Sequence, residues 1–517
     1  MTEHATDATH SQPCCASLTR RELLIGASAA AIGGMALSAV SAATITRESE
    51  RIRAVPGGVP LRVQPVLVYD VPVRQQATSW RNWGGIQTEQ DAAAEKARIS
   101  AELERATKMA DFAVEFLPLA TVRNGQVSEA VLGGRHDVTL IYAAGGGVEV
   151  HERLASPGKW AIMFVRHRSG PVYLWYEIAH PRFLRKTVDE YGQPGMTPQD
   201  VVVDSYPELL WRLRALGGLR NTLGKRIVAV GGASGWGAGG GPAPQRSRDL
   251  WKLEILDVSY PDLGERIRRA RQDDALVKRC RADAEAYLKR GGVSLRTTRQ
   301  FVDNAFLLTE VFKDLMQEAH TDAITINACM GTIMPMAETT ACLPLSLLND
   351  AGYLAFCESD FVVIPSGMLL HHISGKPVFL NDPTYPHDGE VTLAHCTAPR
   401  KMDGRNQEDV LLLTHFESDY GAAPKVQMRK GQRVTTIDPD FASERWLGFE
   451  GEISAIPFLD ICRSQIDVRV DGDCDRLLEE MRGFHWMTCY GSYSRELGYA
   501  LRKVGVNWTS VTPRPQA

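Results

Sequence analysis

Residues 376–396 read KPVFLNDPTYPHDGEVTLAHC, and at this stretch the chain changes its rhythm. Before it, short apolar runs alternate with long amphipathic ones. From it onward, strand-like runs succeed one another with only turns between them: KPVFLND, EVTLAHC, DVLLLTHFES (409–418), KVQMRKGQRVTTIDPD (425–440) and EGEISAIPFLDICRSQIDVRV (450–470). Strands without intervening helices predict an antiparallel barrel or sandwich. The segment RLLEEMRGFHWMTCYGSYSRELGYALRKVG (476–505) then returns to a helical period, so residues 376–510 are expected to form a β-barrel domain with a terminal helix.

Toward the N-terminus the pattern is that of an α/β protein. LRVQPVLVYDVP (61–72), DVTLIYAAGG (137–146) and WAIMFVRH (160–167) read as strands, and DAAAEKARISAELERATKMA (91–110) as a helix with apolar positions three and four residues apart. A second unit opens at KRIVAVGGASGWGAGGG (225–241), where a buried strand runs into a glycine-rich loop. GGASGWG does not fit the dinucleotide fingerprint G-x-G-x-x-G, so the segment reads as a mobile loop at the carboxyl edge of a sheet, placed to touch a substrate. Helices are expected at 262–290 and 297–319, then the strand DAITINACMG (322–331), the helix LPLSLLNDAG (343–352) and the strand YLAFCESD (353–360). The fold class expected is α/β: two Rossmann-like α/β domains, at 60–180 and 181–375, followed by the antiparallel barrel.

With 517 residues the chain is too long for one ordinary core, and its net charge of −4 offers no basic field to a nucleic acid. Paired Arg20 and Arg21 precede LLIGASAAAIGGMALSAVSAA, a weakly apolar run of small residues. This is the pattern of a twin-arginine signal peptide over 1–43, which predicts passage through the twin-arginine export machinery to the periplasm or beyond. Eight of the ten cysteines follow that leader, with no CxxC pair and no zinc-finger spacing. Proteins exported by this route cross already folded, so free buried thiols are expected.

Glu358 and Asp360 end one apolar strand and Asp382 ends another, where a ligand can reach them. Carboxylates with imidazoles suit Mn²⁺, Fe²⁺ or Co²⁺ better than a thiolate zinc site. The motifs NDAGYLAFCESD, SGKPVFLNDP and LAHCTAPRKMDG, in that order, resemble the fucose isomerase and arabinose isomerase superfamily, and in particular its fucose isomerase-like proteins. The resemblance spans about residues 320–495 and is architectural before that. It implies two α/β domains and a barrel, Mn²⁺ (with Fe²⁺, Co²⁺ or Mg²⁺ as alternatives), and aldose–ketose exchange on a carbohydrate through an enediol. It also implies a homo-oligomer, hexamer or trimer. On it, Glu358 of Glu358-Ser359-Asp360 and Asp382 are metal ligands and the catalytic acid/base pair. His485, in GFHWMTCYG, completes the metal site, and His395 takes the place of a further histidine found in arabinose isomerases. His387 and Asp360 are the expected substrate contacts. Two departures stand out: enzymes of this kind are cytoplasmic, and the N-terminal half carries no motif of a hexose or pentose pocket. A sugar-binding protein without catalysis, or a lyase or epimerase using the same enediolate chemistry, are the alternatives.

Overall fold

The computed structural model describes residues 58–155, 158–185 and 196–513, so the leader expected at 1–43 lies outside the described residues. The first sheet forms from β1 (Leu61–Tyr69), β2 (Val114–Phe116), β3 (Ala120–Arg123), β4 (Val138–Ala143), β5 (Trp160–Val165) and β6 (Val201–Val203). All pairings are parallel, in the order β2-β1-β4-β5-β6, with β3 also against β1. β4 is buried along its whole length, as a strand of a parallel sheet covered on both faces must be. The helix Glu89–Met109 starts where Thr88 and Asp91 form a capping box, which satisfies two N–H groups that the first turn leaves free. Because β6 pairs with β5, this sheet runs past residue 180, the boundary expected for the first unit.

The second sheet contains β7 (Arg226–Val230) and β8 (Glu254–Val258); β9 (Val293–Leu295) lies elsewhere, and β10 (Ala323–Ile326) and β11 (Leu354–Phe356) complete it. Its order is β11-β10-β7-β8, again all parallel. The chain order reverses between β7 and β10, and at such a point an open parallel sheet leaves a crevice beyond its carboxyl ends. Between these strands, the single helix expected at 262–290 is two, Tyr260–Gln272 and Asp274–Leu288. The Asp273 carboxylate accepts the Leu276 N–H at 3.0 Å, and this N-cap favours a break within an otherwise helical run.

The C-terminal strands are β12 (Phe379–Pro383), β13 (Glu390–His395), β14 (Asp409–Leu413), β15 (Ala423–Gln427), β16 (Arg433–Pro439), β17 (Arg445–Ala455), β18 (Ser464–Val470), β19 (Trp486–Tyr490) and β20 (Asn507–Ser510). Six of them, in the order β16-β19-β12-β13-β18-β17, form an antiparallel barrel that β16 and β17 close. β20 adds to β17 in parallel. The run DVLLLTHFES, expected in the barrel, instead supplies β14 of a separate three-stranded sheet with β15 and β9. Residues 476–505, expected to be helical, hold the barrel strand β19 between the helices Cys474–Glu480 and Ser494–Lys503. The Asp438 carboxylate accepts the N–H groups of Arg482 and Gly483, both at 2.7 Å, which draws the chain out of the first helix and into the barrel.

The helix Tyr206–Thr222 packs against the helix Ile364–Ser374. A Cβ at Gly218 would lie 2.3 Å from Ile373 Cγ1, so this close approach requires glycine. Leu213, Leu216, Ile373, Met487 and Leu497 belong to one buried core, which joins the first sheet to the barrel. Among the described residues no helix is long and apolar enough to cross a membrane.

Candidate metal centre

The turn after β11 is built in an unusual backbone conformation. Glu358 and Ser359 have φ of 63° and 47°, a left-handed region that non-glycine residues rarely enter. Contacts from the glycine-rich loop after β7 hold them there. Ser234 N–H donates to the Ser359 carbonyl at 3.2 Å, and Phe361 N–H donates to the Ser234 carbonyl at 3.0 Å. Asp360 Oδ1 accepts the backbone N–H of Trp236 at 3.1 Å and of Val362 at 3.0 Å. The loop folds tightly on itself, since a Cβ on Gly235 would meet the Gly240 carbonyl oxygen at 2.1 Å. The loop expected to be mobile is thus a brace for the acidic turn.

Asp382 and His395 lie on adjacent strands, and His485 immediately precedes a third, at one end of the barrel. Asp382 on β12 pairs with Ala394 of β13, next to His395, while Asn381 pairs with Trp486 of β19, next to His485. This barrel end faces the carboxyl edge of the second sheet. His485 Nε2 lies 3.2 Å from Asp382 Oδ1 and 3.3 Å from Glu358 Oε2. His395 Nε2 lies 3.6 Å from Glu358 Oε1, and its Nδ1 is 3.2 Å from the Thr397 hydroxyl. On its far side, His485 Nδ1 is 2.7 Å from Asp360 Oδ2.

Two atoms in this cluster have no hydrogen-bond partner although both are buried: His485 Nε2 and Asp382 Oδ1. Buried polar atoms are rarely left so, because each has lost its water. Asp382, His395 and His485 each offer a ligand atom, all within 4.8 Å of one another. Two carboxylates and two imidazoles fit a hard-to-borderline divalent cation such as Mn²⁺, Fe²⁺ or Co²⁺. The arrangement at His485, carboxylate to imidazole to ligand position, is the one that orients metal-binding histidines.

The electrostatics are those of a crowded site. Burial pushes the Glu358 carboxyl up, but the neighbouring His485 and His395 imidazoles outweigh it and hold it well below the usual carboxylate range. For Asp382 burial prevails over the same histidines, and its pKa is raised. Burial alone would lower both imidazoles, yet the Glu358 and Asp382 carboxylates, with Asp360 at His485, raise them. A divalent cation and these imidazole protons compete for the same atoms.

Glu358, Asp382, His395 and His485 are therefore brought together. Asp360 is beside them but engages His485 and two backbone N–H groups, so its role is to position rather than to touch a substrate. His387, the other expected substrate contact, has an exposed ring whose partner is the neighbouring Asp388. The residues that sequence reasoning leaves out are Ser234 and Trp236. The Trp236 ring stacks on Phe484 at 3.7 Å and presents its edge to His485, forming an apolar wall. A lone tryptophan within a glycine-rich loop is the signal that could have found it. Comparison of the chain with protein-family models and with curated proteins finds no match.

Proposed function

We propose that the chain is a metal-dependent aldose–ketose isomerase, or a closely related enzyme, acting on a sugar or sugar derivative. The observation that supports this reading is the pair of buried atoms without a hydrogen bond, His485 Nε2 and Asp382 Oδ1, 3.2 Å apart, with Glu358 Oε2 3.3 Å from the former. Glu358, Asp382, His485 and His395 would hold Mn²⁺, with Fe²⁺, Co²⁺ or Mg²⁺ as alternatives, and the ion would supply Lewis acidity toward a carbonyl and its adjacent hydroxyl. Moving a proton between C1 and C2 then needs a base and an acid. Glu358, held ionised, suits removal of the proton, and Asp382, whose proton burial favours, suits its return. Asp360 keeps Nε2 of His485 turned toward the carboxylates. Trp236 and Phe484 exclude water from one side.

The test is solvent exchange. With Mn²⁺ in D₂O, a substrate aldose should exchange its C2 proton, or a ketose its C1 proton, as read by proton NMR across a panel of sugars. Glu358→Gln and Asp382→Asn should each lower turnover by about 10²-fold or more, the scale of a lost acid/base group. Wild-type turnover in both variants would place the chemistry elsewhere. A sugar that binds without exchange would favour a binding protein, and exchange without an aldose–ketose product a lyase or epimerase.

We further propose that the two parallel sheets are two Rossmann-like domains, that the chain assembles as a homo-oligomer, and that the precursor leaves the cytoplasm by the twin-arginine route. The Arg20→Lys, Arg21→Lys double variant should stay in the cytoplasm as unprocessed precursor. Normal export of that variant would contradict the route, and a monomer by light scattering the assembly.

A further inference from the structure

Behind the carboxylate centre lies a second group of ligand atoms of different chemistry. Cys342 is the first residue of the helix Cys342–Asp350, Cys396 follows His395 at the end of β13, and His415 follows β14. All three are buried, at 2%, 5% and 4% exposure. Cys342 Sγ and Cys396 Sγ are 3.3 Å apart. A ring nitrogen of His415 and both sulfurs lie within 4.8 Å of one another. Nδ1 of His415 is buried with no hydrogen-bond partner. A further thiol lies close by in the fold, for Cys329 Sγ accepts the N–H of Ala341, the residue before Cys342, at 3.4 Å.

We propose that Cys342, Cys396 and His415 form a second metal site, for a thiophilic divalent cation of the zinc type. Thiolate sulfur and imidazole nitrogen are the ligands such an ion prefers, whereas the neighbouring carboxylates prefer a harder one. In tetrahedral coordination, with zinc–sulfur bonds of about 2.3 Å, two sulfurs stand about 3.8 Å apart, so the pair must open by only about half an ångström. Binding converts two thiols to thiolates, releases two protons to solvent and forms two metal–sulfur bonds, with no change of oxidation state. The ion would tie a helix start, the end of β13 and the segment after β14 into one node, beside the ligand His395. The site goes beyond the proposed isomerase and does not depend on it.

The experiment uses Co²⁺ as a spectroscopic probe on the full mature chain. Cys357 offers its sulfur to a different group, with Glu358 and His395, so a thiolate-to-cobalt charge-transfer band should appear in the wild type and persist in Glu358→Gln and in Cys357→Ser. It should vanish in Cys342→Ser and in Cys396→Ser, and weaken or shift in His415→Gln. After dialysis against Zn²⁺, Cys342→Ser and Cys396→Ser should each hold one zinc fewer per chain than the wild type, and Cys357→Ser as many. If a variant fails to fold, the wild-type and Glu358→Gln spectra still decide. The site is overturned if the wild type shows no such band, if Cys357→Ser alone removes it, or if peptide mapping of the native protein finds Cys342 and Cys396 joined as a disulfide.

Discussion

At the scale of single residues, Asp360 decides what His485 can do. Its Oδ2 lies 2.7 Å from Nδ1 and keeps the proton on that nitrogen, which leaves Nε2, facing Glu358 and Asp382, as the atom that a cation would take in exchange for its proton. Its other oxygen accepts two backbone N–H groups, so the carboxylate itself is immobile. Asp360→Asn keeps the shape but presents an amide, and the preferred tautomer is lost. Mn²⁺ affinity should fall by about 10- to 100-fold, as for other partners of metal-bound histidines, with the thermal midpoint little changed. An unaltered affinity by titration would show that the contact does not orient the ring. Glu358 and Asp382 were readable from the sequence as acids at strand ends, a local feature, whereas His395 and His485 were reached only through the family resemblance. The brace from Ser234 and Trp236 was not readable, since it crosses more than a hundred residues and uses backbone groups that every residue carries.

Among the elements, the join between β16 and β19 has the clearest consequence. Asp438, at the end of β16, accepts the N–H groups of Arg482 and Gly483 and so sets the path of the chain into His485 and β19. Burial pushes its carboxyl up to about 7, although those two N–H groups favour the ionised form. The native state therefore keeps a proton that the unfolded chain has already released between about pH 4 and pH 7. There the folded protein binds more protons, and this residue's contribution to stability falls as the pH rises. The contribution is fully present below pH 4. Asp438→Asn should remove the slope, so urea midpoints at pH 4.5 and pH 7 should differ by less in the variant than the Asp438 contribution requires in the wild type. Parallel profiles for the two proteins would contradict this. The same contact explains a misread element. Residues 476–505 have a helical period at both ends, and the five buried residues of β19 between them carry no period of their own. Only tertiary pairing with β12 and β16 makes them a strand. β14 is likewise a strand by composition, and its partner β9 lies more than a hundred residues away, so its sheet could not be read locally.

For the whole molecule, the candidate metal centre lies where the carboxyl edge of the second parallel sheet meets one end of the barrel. The change from α/β alternation to consecutive strands near residue 375 was evident in the sequence, because periods of 3.6 and 2 are local. The closure of the barrel and the placement of its end against the β11 turn were not, because they depend on pairings between distant strands. Neither half suffices for the centre: the sheet brings Glu358, and the barrel brings Asp382, His395 and His485. The most direct measurement is Mn²⁺ binding by electron paramagnetic resonance, in which bound Mn²⁺ is lost from the signal of the free ion. The mature wild type should bind one Mn²⁺ per chain. Glu358→Gln, on the sheet side, and Asp382→Asn, on the barrel side, should each weaken that binding at least about 10-fold while circular dichroism shows an unchanged fold. A folded wild type that binds no Mn²⁺, or two variants that bind it as tightly as the wild type, would contradict the account.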